Sequence, residues 1–188
     1  WLAGVLRSAA GPDAAAGTRA EGTVPPSHRA VVIGYGPTGR TLTRLLRDNG
    51  VVPTVIELNM DTVRALREDG LPAVYGDAGQ RDVLVAAGIA DSRVLIITAD
   101  VPNIREVIRL SRELSPKLRV LARTGHLRDV DGLHAAGAHE VFSGEGEVAL
   151  ALTEAILQRL GATPDQMDRE RVRAHDELFG GAEQPRRV

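Results

Sequence analysis

The chain has 188 residues, 43% of them hydrophobic, and a net charge of −2 at neutral pH. That supports one α/β domain with a small appendage and argues against broad nucleic-acid binding. The absence of cysteine excludes a disulfide framework, a thiolate zinc site and a cysteine nucleophile. Only 3% of residues are aromatic, so the core must come from Val, Leu, Ile and Ala, which suits a parallel sheet with helices on both faces.

The chain opens at Trp1 with WLAGVLRSAA, a candidate short helix, and continues into an aperiodic Gly/Ala/Pro/Ser stretch that reads as a linker to residue 27. No stretch approaches the roughly 18 apolar residues needed to span a bilayer. The non-Met start suggests a fragment that follows a preceding domain.

Residues 30–57, AVVIGYGPTGRTLTRLLRDNGVVPTVIE, are the most informative segment. Val31-Val32-Ile33 forms a buried-strand pattern. It runs into Gly34-x-Gly36-x-x-Gly39 and then a helix with Leu42, Leu45 and Leu46 on one face. Each glycine has a separate task at a dinucleotide. Gly34 permits the tight turn, Gly36 lets the backbone approach a pyrophosphate, and Gly39 lets the helix pack close to the sheet. The helix start offers free N–H groups and a positive dipole end. Glu57 follows Gly39 by 18 residues, close to the spacing of an acid that accepts from ribose hydroxyls.

The remainder alternates strand and helix. Strands are predicted at 30–33, 54–57, 73–75, 94–97, 120–123 and 140–142. Helices are predicted at 38–48, 60–68, 80–87, 102–114 and 127–136. Gly50, Gly70, Gly88 and Gly137 each follow a helical run, where a left-handed cap favours glycine. The pattern is a doubly wound parallel six-stranded Rossmann sheet of order 3-2-1-4-5-6, with its ligand crevice at the carboxyl ends of the strands. That edge collects the glycine loop, Glu57, Gly76-Asp77-Ala78, Thr98-Ala99-Asp100 and Arg123-Thr124. Asp77 suits either an adenine or ribose contact or the N-cap of the next helix. Thr98 and Ala99 are small enough to line a cleft. Arg123, a cation closing an apolar strand, requires a phosphate or a neighbouring carboxylate. Among the histidines, only His126, after strand five, is a candidate acid or base, and a solvated loop histidine is the competing and favoured reading.

At the C-terminus, GEVALALTEAILQRL spreads apolar residues around most of a helix, more than one sheet face can cover. A second contact surface is expected through 145–160, in a symmetric homodimer. Residues 165–178 read as a charged second helix and the last residues as a tail.

The segments HRAVVIGYGPTGRTLTRLL, VIELNMDTVRALREDGLPAVYGDA, DVLVAAGIADSRVLIITAD, LRVLART and GLHAAGAHEVFSGE occur in an order that resembles RCK or TrkA-N nucleotide-binding regulatory domains. "YGDA" and "LxxAGI" particularly resemble the C-terminal domains of Kef-like cation:proton antiporters. The resemblance covers residues 28 to about 160. It implies a cytoplasmic nucleotide sensor, attached to or docked on a membrane protein at the inner face of the cell membrane, that gates transport of potassium or another monovalent cation. The division it implies is the end of a preceding membrane region and a linker at 1–27, the nucleotide domain at 28–142, crossover and dimerisation helices at 143–180 and a tail at 181–188. Carried over by position, the cofactor set is Gly34, Tyr35, Gly36, Pro37, Thr38, Gly39, Glu57, Leu58, Asp77, Ala78, Thr98, Ala99 and Arg123. The expected cofactor is NAD(H) or an adenine nucleotide (AMP, ADP or ATP), with no catalytic residue and no metal. Many relatives carry arginine between the second and third glycines. Here Pro37-Thr38 stands instead, which leaves the phosphate to Arg40, Arg123 or a partner subunit. The alternatives are an NAD-dependent oxidoreductase and a free-standing potassium-uptake subunit.

Overall fold

The computed structural model describes residues 28–179. The expected N-terminal helix, the linker to residue 27 and the tail at 181–188 lie outside the described residues. The elements in chain order are β1 (Arg29–Ile33), α1 (Pro37–Asp48), β2 (Val52–Glu57), α2 (Met60–Glu68), β3 (Ala73–Tyr75), α3 (Arg81–Ala86), β4 (Val94–Ile97), α4 (Ile104–Leu114), β5 (Arg119–Thr124), α5 (Val130–Ala135), β6 (Glu140–Ser143), α6 (Gly144–Arg159) and α7 (Pro164–Phe179). All six strands pair in parallel in the order β3-β2-β1-β4-β5-β6, as the alternation predicts.

Strand β1 lies at the centre because its run of branched apolar residues can be buried on both faces. Val31 and Val32 are fully buried, each side chain contributing about 1.5–3 kcal/mol. Odd positions Val31 and Ile33 join the larger core with Leu84 of α3, Val107 and Ile108 of α4, and Leu133 of α5. Even positions Ala30 and Val32 pack with Leu46 of α1, while Val55 packs with Val63 and Leu66 of α2. This period-two division puts α1 and α2 on one face and α3, α4 and α5 on the other.

Helices lie on both faces, as expected, but their cover is uneven. On the α1 side, alternate residues of β4, β5 and β6 stay partly accessible, and Phe142 is 39% exposed. Helices α1 and α2 cross only the β1–β2–β3 half, and no described helix follows β6 back over that side.

Two helix starts also differ from expectation. The segment predicted as one helix at 127–136 is a 3-10 turn, Leu127–Asp129, followed by α5. The helix predicted from residue 102 starts at Ile104, after Asn103 in the left-handed region (φ 56). The four predicted cap glycines, Gly50, Gly70, Gly88 and Gly137, all have positive φ. Ser143 caps α6 by accepting from the Gly146 amide at 3.3 Å. The hairpin mate α7 then turns back along α6, with Met167, Asp168 and Arg171 facing Leu150, Thr153 and Leu157.

Candidate functional site

The glycine loop joins β1 to α1 at the carboxyl edge of the sheet, and its glycines occupy three different environments. Gly34 has φ +91, and a Cβ there would lie 2.6 Å from the Ala99 Cβ. At Gly39 a Cβ would overlap the Gly34 carbonyl oxygen, so helix and loop touch backbone to backbone. Gly36 differs: a Cβ there meets nothing within 4 Å. Packing therefore demands glycine at positions 34 and 39 but not at 36. At Gly36 the open space is the lane by which a ligand can reach the backbone.

Among the described residues, the amides along this lane at Gly36, Thr38 and Gly39 have no backbone acceptor. Pro37, at the first helical position, has no N–H to offer. The first turn of α1 contains no acid. The loop is thus a concave set of donors at a positive helix end, suited to an anion.

Glu57 ends β2 beside this loop. Its Oε2 accepts from Tyr35 N at 2.8 Å, and its Oε1 accepts from Leu58 N at 2.8 Å and Asn59 N at 3.0 Å. The carboxylate therefore ties the glycine loop to the end of β2. A carboxylate offers about four lone-pair sites, so about one acceptor position is left over. The Tyr35 ring rests on the Val55, Val63 and Leu66 cluster, and the Leu58 side chain is 64% exposed.

Thr98, at the end of β4, is buried, and its Oγ1 lies 3.0 Å from Ile33 O and 3.1 Å from Gly34 O. Its hydroxyl latches the loop from below. Ala99 supplies the close contact to Gly34. Asp77 does not cap α3, where Gln80 holds the N-cap position; its Oδ1 instead accepts from Gly79 N at 2.8 Å and closes a turn. Ala78 is buried in the core beneath that turn and offers no side-chain surface to the crevice. Arg123 Nη1 lies 3.4 Å from Asp100 Oδ1 and 3.4 Å from Thr98 O. Of the two anions anticipated for Arg123, the described residues provide the carboxylate.

One group outside the predicted set stands at the same edge. Glu145, in the first turn of α6, accepts from Leu127 N at 2.9 Å and lies 2.7 Å from His126 Nδ1. The His126 hydrogen bond, then the Leu127 amide, hold its carboxyl below the usual range. His126 is thereby engaged in a joint between the β5 loop and α6. An acid in the turn after a Ser cap was the available sequence signal, but its partner lies 19 residues away. Among the described residues, no group of three or more His, Asp or Glu side chains could hold a metal ion.

The chain aligns with known proteins over this same region. The TrkA-N domain model matches residues 30–144. The glutathione-regulated potassium-efflux protein KefC of Escherichia coli O139:H28 is 34% identical over 140 residues, 72% of this chain and 22% of KefC. The chain thus spans about a fifth of the curated relatives it matches. The TrkA-N domain of the Escherichia coli inner membrane protein ybaL superposes with a TM-score of 0.64 at 30% identity, covering 68% of this chain and 96% of that one. The Shewanella denitrificans Kef C-terminal domain, solved in an AMP-bound form, shares the fold with a TM-score of 0.63 at 23% identity, covering 80% and 97%. GsuK bound to ADP gives a TM-score of 0.60 at 25% identity, covering 66% and 33%. A doubly wound sheet whose glycine loop stays open only at Gly36, matched by one family model over more than half its length, places the chain in the TrkA-N domain family.

Proposed function

We propose that this chain is a nucleotide-sensing regulatory module of a membrane transport system for potassium or another monovalent cation, acting at the cytoplasmic face of the membrane. The observation that carries the reading is the lane above Gly36, bordered by free amides and kept clear although packing does not require it. The residues present fit an adenine nucleotide or NAD(H). Gly36, Thr38 and Gly39 would donate to its phosphates, the remaining acceptor of Glu57 would take a ribose hydroxyl, and Leu58, Asp77 and Ala99 would border the adenosine. The ligand's role is to bias a conformation, with no chemistry done on it. That ybaL is an inner membrane protein and KefC a potassium-efflux system protein supports attachment to, or docking on, a membrane protein through the segment before residue 28, with 28–142 as the sensor and 143–180 as the dimerisation helices.

A contiguous set of contacts suits this signalling role. Thr98 touches the glycine loop, Arg123 reaches the Thr98 carbonyl, and the strand that carries Arg123 leads to His126 and Leu127, which Glu145 holds to α6. A nucleotide that shifts the loop would thus act on the helix proposed to dimerise.

Calorimetry on the chain with AMP, ADP, NAD(H) and NADP(H) tests the reading. The Glu57 carboxylate disfavours a 2′-phosphate, so NADP(H) should bind least well. Gly36→Ala should fold normally yet lose most affinity, because the added methyl occupies the lane and nothing else. Unchanged nucleotide binding in Gly36→Ala, or a preference for NADP(H), would refute the assignment.

A further inference from the structure

We infer that the amino edge of the sheet is a docking face for an anionic lipid surface, an inference that rests on the membrane attachment proposed above and adds a second contact to it. The residues concerned lie far apart in sequence, and the parallel register gathers them. Arg29, Arg93 and Arg119 stand at the starts of β1, β4 and β5. The backbone joins them in one row: Arg93 N donates to Arg29 O at 3.1 Å, and Arg119 N donates to Arg93 O at 2.9 Å. Neighbouring strands lie about 4.8 Å apart, so three arginines leave the backbone within about 10 Å. Lys117 is exposed in the turn before β5. Arg112 reaches the same turn from α4, its Nη1 donating to Leu118 O at 2.9 Å.

Like charges side by side on adjacent strands are destabilising, so this row needs a counter-charge. Local acids supply part of it: Asp91 lies 3.8 Å from Arg29, and Glu140 lies 3.2 Å from Arg119. Around the starts of β1, β4, β5 and β6, two acids thus stand against five cations, Arg29, Arg93, Arg112, Lys117 and Arg119. Their field reaches His139, just before β6, whose pKa is lowered first by burial and then by Arg112 and Arg119. The other half of the edge has the opposite balance, with Arg47 and Arg67 against Asp48, Glu68 and Asp69 at the ends of α1 and α2. The whole chain carries −2, so the positive excess is local. A helix dipole accounts for a cation such as Arg112 near the end of α4. Arg29, Arg93 and Arg119 begin strands, which carry little dipole.

Cations spread along an edge suit an array of separate anionic groups better than one small ligand. The proposed tether enters β1 through residue 28, beside Arg29, so tether and basic row share one side of the domain. A cytoplasmic leaflet presents anionic headgroups, and each Lys or Arg held within a Debye length of them strengthens binding. Docking in this sense leaves the opposite, carboxyl edge, with its glycine loop, open to nucleotide.

Co-sedimentation of the 188-residue chain with vesicles tests the inference. Vesicles of phosphatidylglycerol and phosphatidylcholine in equal parts should bind the chain, less so as salt is raised. Pure phosphatidylcholine should bind it at least about tenfold less well. Arg93→Glu with Lys117→Glu should weaken binding to the anionic vesicles at least about tenfold. Both side chains are exposed and at the edge opposite the glycine loop, so the melting midpoint and nucleotide affinity should not change. Arg64→Glu with Arg169→Glu alters net charge equally, on α2 and α7, and should have little effect. Equal binding to both kinds of vesicle, or equal losses in the two double variants, would overturn the lipid face. So would failure to bind the anionic vesicles, which would leave the row to a protein partner. Nucleotide calorimetry on the same chain keeps the two readings apart: nucleotide binding without vesicle binding removes only the lipid face, whereas absence of both removes the regulatory reading as well.

Discussion

At the scale of single residues, the glycines separate what the fold needs from what a ligand needs. Gly39→Ala forces a methyl into the Gly34 carbonyl, which belongs to backbone and cannot give way. Chemical denaturation should show a loss of about 1–3 kcal/mol for Gly39→Ala and less than about 0.5 kcal/mol for Gly36→Ala. Equal stabilities would mean that α1 can lift off the loop. Glu57 combines both needs. Its residue type and position pointed to a ribose ligand, whereas its three amide contacts depend on how residue 35 returns toward residue 57, a path that no local pattern encodes. His139 makes a different contribution. Its Nδ1 accepts from Val120 N at 3.1 Å and joins the starts of β5 and β6. Burial, followed by the charges of Arg112 and Arg119, lowers its pKa from 6.5. A lowered histidine pKa means that the unfolded chain takes up its proton first. The stability it supplies is complete above pH 6.5 and is lost as pH falls below that toward the folded value. Unfolding midpoints measured from pH 8 to 5 should therefore fall below about pH 6.5, and His139→Gln should flatten that part of the profile. A wild-type profile with no slope there would contradict the assigned acceptor role.

Among the described helices, α6 carries an apolar stripe that its neighbours leave uncovered. The hairpin mate α7 covers the flank of Leu150 and Leu157, and Phe179 closes against Gly146. Val148, Leu152, Ile156 and Leu160 remain 59%, 58%, 56% and 76% exposed, at a spacing of four that forms one stripe. A self-complementary stripe on a two-fold axis is the arrangement that homodimerisation through 145–160 requires. Leu152→Asp together with Ile156→Asp should convert a dimer into a folded monomer in light scattering; a monomeric parent chain at high concentration would remove the proposal. The sequence made the surplus of apolar positions on α6 legible, because amphipathic periodicity fails there. It did not reveal that α7 takes one flank, since α7 is mostly charged and its contacts come from a few residues such as Met167 and Phe179. Strand order and the ends of α2, β3 and β4 were legible for a similar reason: continuous branched runs and cap glycines leave little choice of element. The split at 127–130 was not, because a 3-10 turn and an α-helix use the same residue types and differ only in hydrogen-bond partner.

On the scale of the whole molecule, the proposed function becomes a question of linkage. A nucleotide that binds only the folded chain adds about 2.7 kcal/mol of stability at a hundredfold excess over its dissociation constant. For a domain of this size that corresponds to a rise of about 5–10 °C in the melting midpoint. Such a rise would show binding but not signalling, because a ligand shifts a conformational equilibrium only by its differential affinity for the two states. The contacts from Thr98 through Arg123 to the 126–127 turn identify where that difference should be felt. Leu127 N is held by Glu145, and Glu145 lies at the root of α6. We therefore expect saturating AMP or NAD to slow hydrogen exchange at the Leu127 amide and in the first turns of α6, by an amount equivalent to about 1–3 kcal/mol. Glu145→Ala should abolish this remote protection while leaving protection of the glycine loop intact, because the substitution cuts the joint and does not touch the crevice. Protection confined to residues 34–40 in the unsubstituted chain, with α6 unaffected, would show that the bound nucleotide stays thermodynamically isolated from the helix through which the domain is proposed to act.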